Sequence, residues 1–433
     1  MRFALLRACA RAVALAALLG AAVAAANPGA PADAMHQGVA SCASGICHGS
    51  AKPRSATPVQ QNEYVTWQHF DPHAGAFHAL TEPRGREIAR RLGIADVTAA
   101  PQCLGCHADA APPAQRGPRF QLDDGIGCES CHGAADRWIA SHADTPRVTH
   151  ADNLRAGLRP LEQPVVRASV CLDCHVGSVG TLATHAMMAA GHPRLSFELD
   201  TYTELWRTSG GREHYVRDQD YRQRKALPAA TDVWIAGLVA QARRQLAIVR
   251  EDPAPGLLPE FALFNCYSCH RTMGLTRWAA RESRPAGSTG ALRFDDSVLR
   301  LIAAVLAAAG SADATQLPEM VRELQAAPGR DWAAVQRAAA ALDAALAPLA
   351  ARPPVLSAPQ ARALLEQLSA AVQRGEYRDY AGAEQVAMGA VVLLEASGQP
   401  TGSAAVEALF ASLADDERFD AARFRGLLEH ATK

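Results

Sequence analysis

Asp124-Gly-Ile-Gly-Cys128-Glu-Ser-Cys131-His132-Gly133 is the stretch on which the reading of this chain turns. Two thiols three residues apart lie on one side of a tight helical turn. The histidine that follows points its imidazole the same way. This spacing suits covalent attachment of haem: the thiols add to the two vinyl groups of one porphyrin, and the imidazole meets the iron as its proximal ligand. The unit recurs in Cys103-Leu-Gly-Cys106-His107, Cys171-Leu-Asp-Cys174-His175 and Cys266-Tyr-Ser-Cys269-His270. Cys42-Ala-Ser-Gly-Ile-Cys47-His48 is a longer variant, whose extra residues loop out while Cys47-His48 keeps its place. Of the eleven cysteines, only Cys9 stands outside these pairs.

Disulfides and zinc compete for the same cysteines. A disulfide framework gives no reason for a histidine after every second cysteine. Two Cys-x-x-Cys pairs would complete a zinc site and leave those histidines unexplained. Five motifs that use every remaining cysteine predict five covalent haem c groups, with His48, His107, His132, His175 and His270 as proximal ligands.

The N-terminus predicts export. Arg2, Arg7 and Arg11 precede an uncharged, Ala-rich run over 12–26 that ends in small residues before Asn27-Pro28. This is the pattern of a cleavable signal peptide, and the run is shorter than the roughly 20 residues a bilayer requires. Cys9 lies inside it, with the apolar run after the cysteine and not before it, so a lipoprotein signal does not fit. The mature chain is expected in the periplasm without a transmembrane segment. A formal net charge of −1 gives no electrostatic argument for nucleic acid.

Fifteen histidines exceed the five proximal positions. His36, His69, His73, His78, His142, His150, His185, His192, His214 and His430 remain, and a second axial imidazole on each iron is a natural use for this surplus. Met187, Met188 and Met273 are also competent ligands, but with histidine in excess ordinary packing is expected of them. His142 follows the third motif by ten residues, and so does His185 the fourth. His192 lies seven beyond His185, where Gly191 and Pro193 predict that the helix has ended.

The fold class expected is mainly α: a signal peptide over 1–26, a multihaem cytochrome c domain of short helices and loops wrapped around haems over 27–280, a linker over 281–293, and an α-helical bundle domain over 294–433. Pro, Gly and polar clusters interrupt the motif-bearing part repeatedly. One longer helix is predicted there over 232–250. Beyond the linker, Trp332, Val335, Leu342, Leu346 and Leu349 trace a helical stripe that Pro353-Pro354 stops. Ser357 is a fitting N-cap for the next helix and Gly375 its stop. Further helices are predicted over 380–396, 403–414 and 420–430. No chemistry is visible in this part; docking or capping the haem domain is its expected role.

These residues resemble the cytochrome c-554 family of multihaem cytochromes, which shares haem-stacking arrangements with hydroxylamine oxidoreductase and pentahaem nitrite reductase. The likeness is carried by Trp67 to His73-Ala, by the stretch from Asp124 to Gly133, and by Cys171-Leu-Asp-Cys174-His175 with Thr184-His185 and Gly191-His192-Pro193. The resemblance implies a mostly helical fold, closely packed haem pairs, largely bis-His irons and periplasmic electron relay. It makes His73, His142, His185 and His192 look like distal ligands, with His36 a fifth choice and His150 and His214 its rivals. The tetrahaem members differ by one haem, lack the added helical domain and have no longer first motif, so haem order is not carried over.

An electron carrier is the expected function, with redox proteins as partners: other cytochromes, or a quinol-linked membrane complex. The alternative is a multihaem oxidoreductase with one open iron for a small nitrogen or sulfur compound. The pentahaem nitrite reductases bind their active-site haem through a motif ending in Lys, and no Cys-x-x-Cys-Lys occurs here. The tyrosines offer no context like that of the cross-linked residue in hydroxylamine oxidoreductase.

Overall fold

The computed structural model describes residues 33–54, 59–144, 147–208, 219, 227–251, 259–270 and 292–433. The expected signal peptide, nearly all of the linker, His214 and Met273 lie outside the described residues. The chain is mainly α. Among the described residues the β pairing consists of isolated bridges, His36 with Arg116 and Phe264 with Phe294.

Short helices make up the first part: α1 (Glu63–Phe70), α2 (Ala76–Thr81), α3 (Pro83–Leu92), α4 (Pro101–His107), α5 (Cys128–His132), α6 (His150–Arg155), α7 (Pro164–His175), α8 (His185–Ala189) and α9 (Leu199–Thr208). Proline opens α3, α4 and α7, where its missing N–H costs nothing. Long helices follow: α10 (Ala230–Glu251), α11 (Ser297–Ala308), α12 (Gln316–Ala326), α13 (Trp332–Ala351), α14 (Ala358–Gln373), α15 (Tyr380–Ala396), α16 (Ala404–Ala411) and α17 (Ala421–Ala431).

The expected caps are present. Ser357 and Gln360 form a reciprocal capping box at the start of α14, and Gly375 follows its end at φ 81°. The Asp331 and Asp379 side chains accept from Ala334 N and Gly382 N to start α13 and α15. These caps supply partners for N–H groups that the first turn leaves unpaired.

The two parts differ in what fills them. One large apolar cluster runs through α10 to α17, with Trp234, Leu301, Leu342, Leu346, Leu364 and Leu393 inaccessible to solvent. Helix α10 precedes the expected linker yet belongs to this cluster, packing on α13 and α15. Asp343 on α13 accepts from Arg243 Nε at 2.7 Å and Arg250 Nη1 at 2.6 Å, both on α10. The opposite side of α10 packs against α7, where Ala168, Leu172, Phe197, Leu199 and Val233 form a small second cluster. Residues 33–167 contribute to neither cluster. More than a hundred residues therefore fold without an apolar side-chain core, which ordinary burial does not account for.

Glycine at 389 lets α15 approach α10 closely. A Cβ there would lie 2.7 Å from Cζ2 of Trp234, whereas a Cβ at Gly426 on α17 would meet nothing within 4 Å. Gly389→Ala is expected to destabilise the bundle by about 1–3 kcal/mol through overpacking. Gly426→Ala is expected to be neutral or stabilising by up to about 1 kcal/mol. Thermal unfolding followed by circular dichroism on the two variants checks the contrast.

Candidate functional site

Each motif closes a single turn that brings its cysteines and histidine to one side. Motifs two and three form α4 and α5 themselves, and the fourth ends α7. The fifth lies on a 3-10 turn, Cys266–Ser268, where His270 N donates to Cys266 O at 2.8 Å. In the longer first motif, His48 N donates to Cys42 O at 3.1 Å, so the additional residues bulge outward. Ile46, inside the bulge, is 79% exposed.

None of the ten motif cysteines is joined in a disulfide. Burial pushes Cys131 up to about 12 and Cys171 up to about 11, so these sulfurs are held neutral. That environment suits thioether sulfur and not the thiolates zinc requires. Among the described residues, no group of three or more His, Cys, Asp and Glu side chains is arranged to hold a metal ion on its own. Sulfurs of different motifs lie beside one another, Cys42 by Cys128 and Cys106 by Cys174, and Cys174 Sγ donates to Gly105 O inside the second motif at 3.7 Å.

The histidines come together in pairs that join a motif to a remote segment. Ring centres of His48 and His142 are 6.1 Å apart with planes 10° from parallel. His73 and His175 lie 6.2 Å apart at 85°, and His107 and His192 6.4 Å apart at 86°. His185 and His270 lie 6.2 Å apart at 39°. Two metal–nitrogen bonds of about 2 Å each, plus roughly 1 Å from each nitrogen to its ring centre, place trans imidazoles about 6 Å apart. Ring packing elsewhere in the chain gives similar separations, as for His36 and Phe120 at 6.4 Å, so what sets these pairs apart is that each joins a motif histidine to a second histidine from a remote segment. The residues present therefore fit haem iron with two histidine ligands at four of the motifs.

Hydrogen bonding at Nδ1 adds a second test. His48 Nδ1 donates to Glu63 Oε2 at 2.9 Å, His73 Nδ1 to Asp71 Oδ1 at 2.8 Å and His36 Nδ1 to Asp109 Oδ2 at 2.7 Å. Backbone carbonyls accept from three others: Ala76 O from His107 at 2.8 Å, Ile139 O from His142 at 2.7 Å and Pro193 O from His192 at 2.8 Å. These acceptors carry no proton, so Nδ1 must donate. In the neutral ring this leaves the lone pair on Nε2, the tautomer of histidines that ligate metals through that nitrogen. His150 shows the reverse: it uses Nε2 on the exposed Glu162 at 3.1 Å. Met187 and Met188 belong to the short α8, whose N-cap Thr184 accepts from Met187 N.

The electrostatics differ between members of a pair. Burial, then the neighbouring His73, lowers His175 to about 4, which keeps it neutral. Hydrogen bonds to carboxylates raise His48 and His73 against the pull of burial. His36 is also raised: burial lowers it, but Asp109 outweighs that. Sequence reasoning missed Glu63, Asp109 and the carbonyl acceptors. Asp71, two residues before His73, was within reach of a local reading.

Residues 41–133 match the family model described as cytochrome c554 and c-prime, a span that takes in the first three motifs. Residues 41–133 resemble this family, and the likeness covers about a fifth of the chain. The family is one of c-type cytochromes, so the likeness of residues 41–133 points to covalently bound haem c and electron transfer. Comparison with curated proteins and with solved structures finds no match.

Because a carboxylate on Nδ1 makes an imidazole a stronger donor, it favours ferric iron. Glu63→Gln is expected to raise the potential of the centre held by His48 by roughly 30–60 mV, up to a tenfold change in a one-electron equilibrium. Spectropotentiometric titration should show one component moving and the others holding still.

Proposed function

We propose that the chain is a periplasmic pentahaem c-type cytochrome that relays electrons through largely bis-His haems. The observation that carries this reading is that four of the motif histidines, one of them in the longer variant, each face a second histidine from a distant segment, with ring centres 6.1–6.4 Å apart. Haem supplies the one-electron chemistry when bound. The chain's own residues hold and tune it. Cys42, Cys47, Cys103, Cys106, Cys128, Cys131, Cys171, Cys174, Cys266 and Cys269 form the thioether anchors. His142, His192, His73 and His185 complete the centres begun by His48, His107, His175 and His270. His36 is assigned to the centre of His132.

The order of the sites follows from which motifs lie beside one another. Motif one adjoins motif three through Cys42 and Cys128, and motif two adjoins motif four through Cys106 and Cys174. Helix α5 packs against α7, which links motif three to motif four. Segment 185–192 reaches both the fifth centre and the second, since His185 faces His270 and His192 faces His107. Exposure at the ends of this arrangement, at Cys47, Cys266 and Cys269, suits contact with redox proteins in solution or at a membrane. No helix among the described residues is long and apolar enough to cross a membrane. The division into a haem domain over 27–280 and a bundle over 294–433 belongs to the same reading, except that α10, inside the first range, packs into the bundle's core and carries its contact with the fourth motif. The pattern over 1–26 supports export and cleavage before Asn27.

Pyridine haemochrome analysis is expected to give five haems per chain, and N-terminal sequencing a mature start at Asn27. Low-temperature EPR of the oxidised protein should contain low-spin ferric signals alone. A stoichiometric high-spin signal would overturn the carrier reading in favour of an oxidoreductase with one open iron.

A further inference from the structure

Glu129 sits between the two cysteines of the third motif, where the sequence asks only for spacers, yet it is 3% exposed. A buried carboxylate is costly unless its charge is met by donors. Here it is met by backbone. Oε1 accepts from Gln37 N at 2.8 Å and from Ala135 N at 2.7 Å, while Oε2 accepts from Gly38 N at 2.7 Å. Two of these N–H groups follow His36 directly, and the third lies three residues beyond His132. The carboxylate thus bridges the two segments whose histidines are assigned to the third centre.

The rest of the His36 segment has one seat only. His36 N donates to Gln115 O at 2.8 Å, and Gly117 N donates to His36 O at 2.8 Å. Gly38 adopts φ 82°, and a Cβ there would lie 2.2 Å from Arg119 O. Asp109 holds the ring through Nδ1. Bonds at 115–119 fix one edge of the segment, and Glu129 fixes the other.

We propose that Glu129 is a positioning residue that seats His36 over the third centre, in addition to occupying the spacer of its motif. The inference rests on the assignment of His36 in the preceding section. A carboxylate can serve three N–H groups because both oxygens accept. An amide offers one oxygen and turns an NH₂ toward a donor, so glutamine at 129 leaves at least one of the three N–H groups unmet: Gly38 N if its oxygen takes the place of Oε1, or both Gln37 N and Ala135 N if it takes the place of Oε2.

The experiment uses the mature holoprotein, with haem count, EPR and redox titration on wild type, His36→Ala, Glu129→Gln and the double variant. In His36→Ala, about one fifth of the iron is expected to turn high-spin, with five haems retained. Glu129→Gln is expected to turn part of that same fifth high-spin, and added imidazole to restore the low-spin signal in both. The double variant should match His36→Ala alone. If Glu129→Gln keeps the wild-type spectrum and potentials while His36→Ala loses a low-spin centre, the role of Glu129 is refuted and the His36 assignment stands. If His36→Ala changes nothing, the assignment itself fails, and the inference with it. High-spin iron beyond one fifth in the double variant would place the action of Glu129 on another centre and also refute it. Glu129→Asp, which keeps the charge but withdraws it by one methylene, takes the place of the glutamine variant if that protein does not mature with five haems. The same outcomes decide.

Discussion

Two imidazoles that meet one iron from opposite faces must stand about 6 Å apart, and under the proposed assignment the two at each centre come from different parts of the chain. His142 returns to a motif almost a hundred residues before it, and His73 reaches one about as far ahead. Each pair acts as a cross-link, and several interlocked cross-links set the topology of a region that has no apolar cluster of its own. Short helices suffice there because each needs only to present one turn. The acceptors at Nδ1 matter for the same reason: they fix the tautomer and ring orientation before any metal arrives.

What the sequence made legible was local. Attachment chemistry demands a fixed spacing, so the motifs stand out, and the bundle's helices announce themselves through caps such as Ser357 with Gln360 and stops such as Gly375. Partner choice was not legible, because it depends on contacts between distant segments. His185 and His192 show why. At seven residues apart they would share one face of a continuous helix, but Gly191 at φ 113° ends that helix, and the two rings turn to different motifs. Glu63 and Asp109 were hidden in the same way, lying 15 and 73 residues from the histidines they hold. Glu129 was in plain view, but as a spacer.

The helical bundle reaches the haem-bearing part at the fourth motif. Gln385 Nε2 on α15 donates to Phe197 O at 3.1 Å, and the Phe197 ring lies 5.0 Å from that of His175. Arg194, close by in sequence, pairs with Glu384 at 2.7 Å and lies over the Tyr380 ring. The Arg244–Asp173 pair adds little, since Asp173 is largely exposed. Packing of α10 on α7 is the firmer join, because it buries Leu172 between the motif's own cysteines.

The uneven distribution of apolar side chains bears on how the molecule is made. The bundle has a core of leucine, valine and alanine that needs no prosthetic group, so its folding draws on burial alone. The first part gains comparable stability only as ligands are joined, which ties its folding to ligation. Synthesis proceeds from the other end, so the segment without an apolar cluster of its own emerges before the bundle. An extended chain is what covalent attachment requires, since each pair of thiols must be reached before its turn closes. The late-emerging bundle then provides a finished surface, α10, against which the fourth motif can settle.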